Sequence, residues 1–265
     1  MHRILLATLA PLLTAAGGLG AARAEAAKPP IVLVHGAWET SSIWDGVAAK
    51  LKHDGYRVQV VTLPGRPGHS MPANQVSMDS HRKAIAAVVA KERAPVVLVG
   101  HSFAGFPISA VAEAEPGRIR TLVFLAAYLP QDGQSLLGVA TSDKGSKAGP
   151  AVQIDKDHAL ATVAPDARAG LFANDAPPQV GAAVANAIVP EPLAPLATPV
   201  RLTARFAHVN KVYIHTARDQ VVSPGLQAVM VAATPVRMER TLDTGHAPFV
   251  TNPDGVAAAI EAAIR

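Results

Sequence analysis

The chain has 265 residues, room for one α/β domain of ordinary size with a sizeable core. It carries 24 basic and 20 acidic side chains. Without Arg3 and Arg23 the balance falls to +2, and the basic residues are scattered, so nothing marks a nucleic-acid-binding face. Cysteine is absent, which excludes disulfides, thiolate catalysis and anchoring through a lipidated cysteine.

Residues 1–24 read as a secretory leader, not a membrane span. Met1-His2-Arg3 is a short basic start, Ile4 to Leu19 is an Ala/Leu-rich apolar run, and Ala22-Arg23-Ala24 offers an A-x-A cleavage site. The expectation is an exported protein, periplasmic or secreted, with a mature domain of residues 25–265 and no membrane span once the leader is removed.

After Pro29-Pro30, Ile31-Val32-Leu33-Val34 predicts a first buried strand running into His35-Gly36-Ala37-Trp38. Ser41 or Ser42 could cap a helix with Trp44, Val47 and Leu51 on one face, stopped by Gly55. A second strand over Arg57–Leu63 opens into a Gly/Pro-rich loop from Pro64 to Asn74, and a helix follows from about Met78 to Arg93.

Val96-Val97-Leu98-Val99 then predicts a strand buried on both faces. It is followed by Gly100-His101-Ser102-Phe103-Ala104-Gly105 and an apolar helical run. A serine between strand and helix, with small residues two before and two after it, is the nucleophile-elbow pattern G-x-S-x-[GA]. Gly68-His69-Ser70 repeats the tripeptide but follows a turn-rich loop that cannot be a central strand, so context selects Ser102.

Ile119 to Ala126 predicts the next strand. From Leu129-Pro130 to about His208 the alternation stops. No clean strand is expected there, only helical pieces near Pro165–Phe172 and Pro178–Ile188. Strands over Lys211–Thr216 and Val236–Leu242 enclose a helix capped by Ser223, with Leu226, Val229 and Met230 turned inward. A final helix starts at Asn252-Pro253. The fold class expected is α/β, a mostly parallel sheet with helices on both faces and residues of about 130–208 inserted as a lid over the strand ends, where such sheets place their sites.

A serine hydroxyl needs a base to take its proton and a carboxylate to hold that base. Asp219 follows the strand Lys211–Thr216, and His246 follows the strand Val236–Leu242, so both fall at the sheet edge that carries Ser102. Asp243 is the rival acid, but it lies only three residues before the histidine on the same loop. An oxyanion needs two fixed donors. The backbone N–H of Phe103 is one, and that of Ala37, in the loop after the first strand, is the other. Trp38, Phe172 and Phe249 are candidate walls of the substrate pocket. His53, His81, His158 and His208 are isolated, with no metal-ligand spacing, and no nucleotide-binding glycine motif occurs. Neither a metal nor a cofactor is expected.

Together, Val32-Leu33-Val34-His35-Gly36-Ala37-Trp38, Val97-Leu98-Val99-Gly100-His101-Ser102, Val123-Phe124-Leu125-Ala126-Ala127 and Val212-Tyr213-Ile214 resemble one branch of the α/β-hydrolase superfamily. That branch holds plant methyl esterases, hydroxynitrile lyases and bacterial pyrethroid-hydrolase-like esterases. Leu171-Phe172-Ala173-Asn174-Asp175 and Pro192-Leu193-Ala194-Pro195-Leu196 look like its bacterial members. The resemblance implies the α/β-hydrolase fold and a serine carboxylesterase acting on a small-molecule ester through Ser102, Asp219 and His246, with Ala37 and Phe103 as oxyanion donors. The hydroxynitrile lyases carry a lysine after the catalytic histidine and a threonine in the first loop. Ala247 and Gly36 stand at those positions here, which disfavours lyase chemistry. The alternatives are such a lyase or acyl-transfer activity, or a non-catalytic binding protein of the same fold.

Overall fold

A computed structural model describes residues 27–265; the expected leader, residues 1–24, therefore lies outside the described residues. Among the described residues nine strands occur in chain order: β1 (Ile31–Val34), β2 (Val58–Val61), β3 (Val96–His101), β4 (Ile119–Leu125), β5 (Val152–Asp155), β6 (Leu160–Val163), β7 (Glu191–Pro192), β8 (Lys211–Thr216) and β9 (Met238–Leu242). Six of them form one wholly parallel sheet in the order β2-β1-β3-β4-β8-β9. Parallel strands need crossovers, and helices supply them on both faces.

Every residue of β1 and β3 is buried, and successive side chains go to opposite layers. Val32, Val34, Val96 and Leu98 pack in one layer with Phe103, Phe106, Phe124 and Tyr213. Ile31, Leu33, Val97 and Val99 pack in the other with Trp44, Leu51, Val256 and Ile260. Each such side chain contributes roughly 1.5–3 kcal/mol by leaving water. This two-sided burial explains the unbroken apolar runs. Registers pair His101 with Leu125, Leu125 with Ile214 and Thr216 with Leu242, so the carboxyl ends of the central strands form one edge.

Three local expectations need correction. The first helix, Asp45–His53, is preceded by a 3-10 turn over Ser41–Trp44 that begins after Thr40, so neither Ser41 nor Ser42 acts as its cap. Val229 is 64% exposed on the helix Pro224–Ala233, whose inward stripe runs through Leu226, Gln227 and Met230; Gln227 takes an inner position because its amide bonds Thr216 and Val222. The segment between β4 and β8 does contain strands: β5, β6 and β7 form a small antiparallel sheet. Its strands are short; β5 is mostly exposed and β6 buries only alternate residues, so they lack the apolar run by which the central strands were recognised. Helices at Leu136–Ser142, Arg168–Phe172, Pro178–Ala187, Leu193–Ala197 and Ala204–Ala207 complete this insertion. None of the helices among the described residues is long and apolar enough to cross a membrane.

Candidate active site

β3 ends at His101 and the chain turns at once into a 3-10 turn, Ser102–Ala104, and the helix Gly105–Ala114. The turn forces Ser102 to φ +54°, in the left-handed region, at a cost of about 1–3 kcal/mol for a residue with a side chain. The buried strand before it and the bond from Tyr128 N–H to the Ser102 carbonyl (3.1 Å) hold that conformation. Gly100 is required by crowding: a Cβ there would lie 2.8 Å from Ile108 Cδ1 and 3.1 Å from the Ala104 backbone. The other serine with the same tripeptide, Ser70, lies exposed in the loop after β2.

Asp219 follows β8 and His246 follows β9, and the common strand edge brings both to Ser102. The hydroxyl of Ser102 faces His246 Nε2 at 3.0 Å, and His246 Nδ1 donates to Asp219 Oδ2 at 2.9 Å. His246 and Asp219 are almost wholly buried, while Ser102 keeps 5% exposure. The Asp219 carboxylate also accepts the Thr216 hydroxyl (2.8 Å) and the N–H groups of Val221 (2.8 Å) and Val222 (3.0 Å). Four donors fix its plane. Asp243 points outward and pairs with Arg218 Nε at 3.1 Å.

Behind the serine lies a buried histidine that sequence reasoning did not single out. His101 Nδ1 donates to Glu39 Oε2 (2.9 Å) and its Nε2 to the main-chain carbonyl of His246 (2.8 Å). Both partners accept only, so both ring nitrogens carry protons and the ring is an imidazolium. Burial opposes that charge, but the Glu39 carboxylate outweighs it and holds the His101 pKa above the ordinary value. Burial likewise opposes the Glu39 charge, and His101 outweighs it, holding the carboxyl below its usual range.

The loop after β1 passes beside the serine. A Cβ on Gly36 would lie 2.9 Å from Ser102 Cβ and 2.8 Å from Glu39 Oε2, so only glycine allows the approach. Ala37, Trp38 and Ser102 line one cavity of about 310 Å³, closed on the insertion side by Leu136, Leu137 and Leu196 and flanked by Tyr128. Among the described residues no Asp, Glu, Lys, Arg or His side chain lines it. Phe103, whose N–H directly follows the serine, is itself fully buried against His81. Phe172 and Phe249 do not line this cavity. Phe172 packs edge-on against both Trp38 (6.2 Å) and His246 (5.7 Å), and Phe249 packs edge-on beneath His101 (4.9 Å); both border a separate cavity of about 270 Å³. The pocket walls from the insertion were not legible in sequence, because side-chain direction there follows from tertiary packing. No cluster of three His, Cys, Asp or Glu side chains able to hold a metal ion occurs among the described residues.

Comparison with known proteins places this geometry in context. Residues 31–259 match the alpha/beta hydrolase family. A putative chloroplastic methylesterase 11 of Arabidopsis thaliana is 28% identical over 247 residues, covering 85% of this chain and 61% of the relative, so this chain spans less than two thirds of that relative's length. A pyrethroid hydrolase of Sphingobium wenxiniae is 26% identical over 246 residues, covering 87% of this chain and 85% of the relative. Among solved structures, an extracellular alpha/beta-hydrolase from a Paenibacillus species, described as sharing structural and functional homology with tobacco salicylic acid binding protein 2, superposes with a TM-score of 0.77 at 25% identity, covering 89% of this chain and 98% of the other.

Proposed function

We propose, from the premise that this chain belongs to the alpha/beta hydrolase family, that it is a serine carboxylesterase hydrolysing small to medium carboxylic esters. One observation carries the reading: a serine strained into a strand-to-helix corner with its hydroxyl 3.0 Å from a histidine that is itself 2.9 Å from a four-fold hydrogen-bonded aspartate. The esterases and hydrolases among its relatives support it.

In this mechanism Ser102 Oγ attacks the ester carbonyl while His246 Nε2 takes its proton. Asp219 holds the imidazole with Nδ1 protonated and favours the imidazolium that forms. The N–H groups of Ala37 and Phe103 meet the oxyanion. His246 returns the proton to the leaving alcohol, leaving Ser102 acylated. Water then attacks the acyl-enzyme with His246 as base and releases the acid. The uncharged lining of the Ser102 cavity favours neutral, apolar ester groups over charged ones.

The segment inserted between β4 and β8, about residues 130–208, serves in this reading as a lid that supplies the outer pocket wall. Residues 1–24 serve as an export signal, giving a mature chain from Glu25 that is periplasmic or secreted; N-terminal sequencing of the exported protein tests that cleavage. The activity is tested by p-nitrophenol release from acetate to decanoate esters, comparing the protein with its Ser102→Ala and Ser70→Ala variants. Turnover abolished by the first change and kept by the second supports the reading; folded protein with no turnover on any ester overturns it.

A further inference from the structure

Two buried carboxylates stand on either side of the Ala37 amide. Glu39 Oε2 accepts the N–H of Gly36 at 2.7 Å, and Glu191 Oε2 accepts the N–H of Trp38 at 2.8 Å. Glu39 is 5% exposed and Glu191 not at all. Each has its own cation: His101 on Glu39 and the fully buried Arg66 on Glu191. Arg66 also joins the two halves, since its Nε donates to the Glu39 carbonyl at 2.9 Å. The amide between the two clamped ones, that of Ala37, has no acceptor among the described residues, and Ala37 lines the Ser102 cavity.

Glu191 reaches this loop from β7 of the insertion, 153 residues away in sequence from Trp38. The same insertion grips Trp38 twice more. Val189 N–H donates to the Trp38 carbonyl (2.9 Å), and the indole Nε1 donates to the Ala161 carbonyl (2.9 Å). Trp38 needs this grip, because its φ of +60° is strained for a residue with so large a side chain.

Stability alone does not account for Arg66 and Glu191. A buried ion pair loses the hydration of both charges, and a well-packed apolar pair of similar volume often holds a fold as well. Such a pair could not accept the Trp38 amide. Relaxed, that amide would let the loop settle into a less strained conformation and swing the Ala37 N–H away from the serine.

We infer that Glu191 is a positioning residue for the oxyanion donor Ala37, holding the Trp38 amide from the insertion with Arg66 as its counter-charge; the inference rests on the serine-esterase reading. The insertion thereby completes the oxyanion site as well as covering the pocket. What matters for this role is the reach of an acceptor to the Trp38 N–H, not the charge.

Two single substitutions separate reach from charge. Glu191→Gln keeps an acceptor at the same distance and removes the charge. Glu191→Asp keeps the charge and withdraws the acceptor by one methylene. With active sites counted by a stoichiometric phosphonate, Glu191→Gln should keep kcat within about threefold although it melts earlier. Glu191→Asp should lose roughly tenfold to a hundredfold in kcat with KM little changed, a part of what deletion of an oxyanion donor costs. Affinity for an alkyl boronic acid, which presents a tetrahedral anion, should fall by a similar factor. If Glu191→Gln does not fold, the Arg66→Met/Glu191→Gln double variant, which leaves no buried charge, takes its place with the same expectation. The reverse order of kcat, or wild-type kcat in Glu191→Asp, overturns the inference and leaves the pair a structural one. Those results are distinct from failure of the esterase reading, which would appear as wild-type ester turnover that survives Ser102→Ala.

Discussion

The imidazolium of His101 donates to the main-chain carbonyl of His246 at 2.8 Å, so the residue that precedes Ser102 also props the loop that carries His246. Its other proton goes to Glu39, which in turn holds Gly36 of the loop after β1. Three chain segments meet on one buried ion pair.

That pair is expected to set the alkaline limb of stability. The His101 pKa is raised in the folded state, against burial, by Glu39. A raised histidine pKa gives stabilisation that is complete below the unfolded value, about 6.5, and drains as pH rises through the folded value. The protein should therefore lose thermal stability as pH climbs above about 6.5, and Glu39→Gln should flatten this limb while lowering Tm at about pH 6. Melting curves across the alkaline range check it; parallel curves for the two proteins would contradict the assignment.

The acid limb has the opposite origin. Burial, aided by the Arg66 charge, lowers the pKa of His35 to about 4 and that of His81 to about 3. The bonding agrees: His35 Nδ1 donates to the Gly36 carbonyl while its Nε2 accepts Leu63 N–H, which only the neutral ring can do. Below about pH 6.5 the unfolded chain takes up protons that these two folded rings refuse. Stability should thus fall as pH drops from 6.5 towards 4, by roughly 1.4 kcal/mol per pH unit for each ring. Denaturant titrations at several pH values measure the slope, and His81→Leu should remove about half of it. An unchanged slope would show that His81 is not excluded from titrating.

Asp219, not Asp243, is expected to be the acid that orients His246. Asp219→Asn should lower kcat by about 10⁴, as loss of the correct tautomer does in serine hydrolases. Asp243→Asn removes only an exposed partner of Arg218 and should leave kcat within about twofold. Steady-state kinetics on one p-nitrophenyl ester decide between them, and a large loss with Asp243→Asn would reassign the acid.

The insertion should set the ester size accepted. Ala140 lines the Ser102 cavity, so Ala140→Phe takes up space that a longer acyl or alcohol group would use. The ratio of kcat/KM for octanoate over acetate esters should fall by roughly tenfold. A ratio that does not move would mean that long chains leave the cavity by another route.

Much of this was legible in the chain itself. β1, β3, β4 and β8 each contain a run of consecutive apolar residues because a parallel sheet covered on both faces buries side chains on both sides. Ser102 and Asp219 could be picked out because each follows such a run, and His246 because it follows the half-exposed edge strand β9; the strand registers then bring the three within hydrogen-bond distance. The clamp was not legible. Arg66 lies in Pro64-Gly65-Arg66-Pro67-Gly68, which reads as a solvated loop, and Glu39 and Glu191 are single charges without periodic context. A buried charge differs from an exposed one only through partners far away in sequence. The hairpin β5–β6 escaped for a related reason: Val152-Gln153-Ile154-Asp155 leaves Ile154 44% exposed, so its alternation carries little apolar contrast.

The most direct test of the central claim is to trap the nucleophile. Incubation with diethyl p-nitrophenyl phosphate, followed by peptide mass mapping, should find one diethylphosphoryl group per chain on Ser102, acquired in step with loss of ester turnover. A chain that loses turnover with the label on another residue, or keeps turnover with Ser102 fully labelled, would contradict the account.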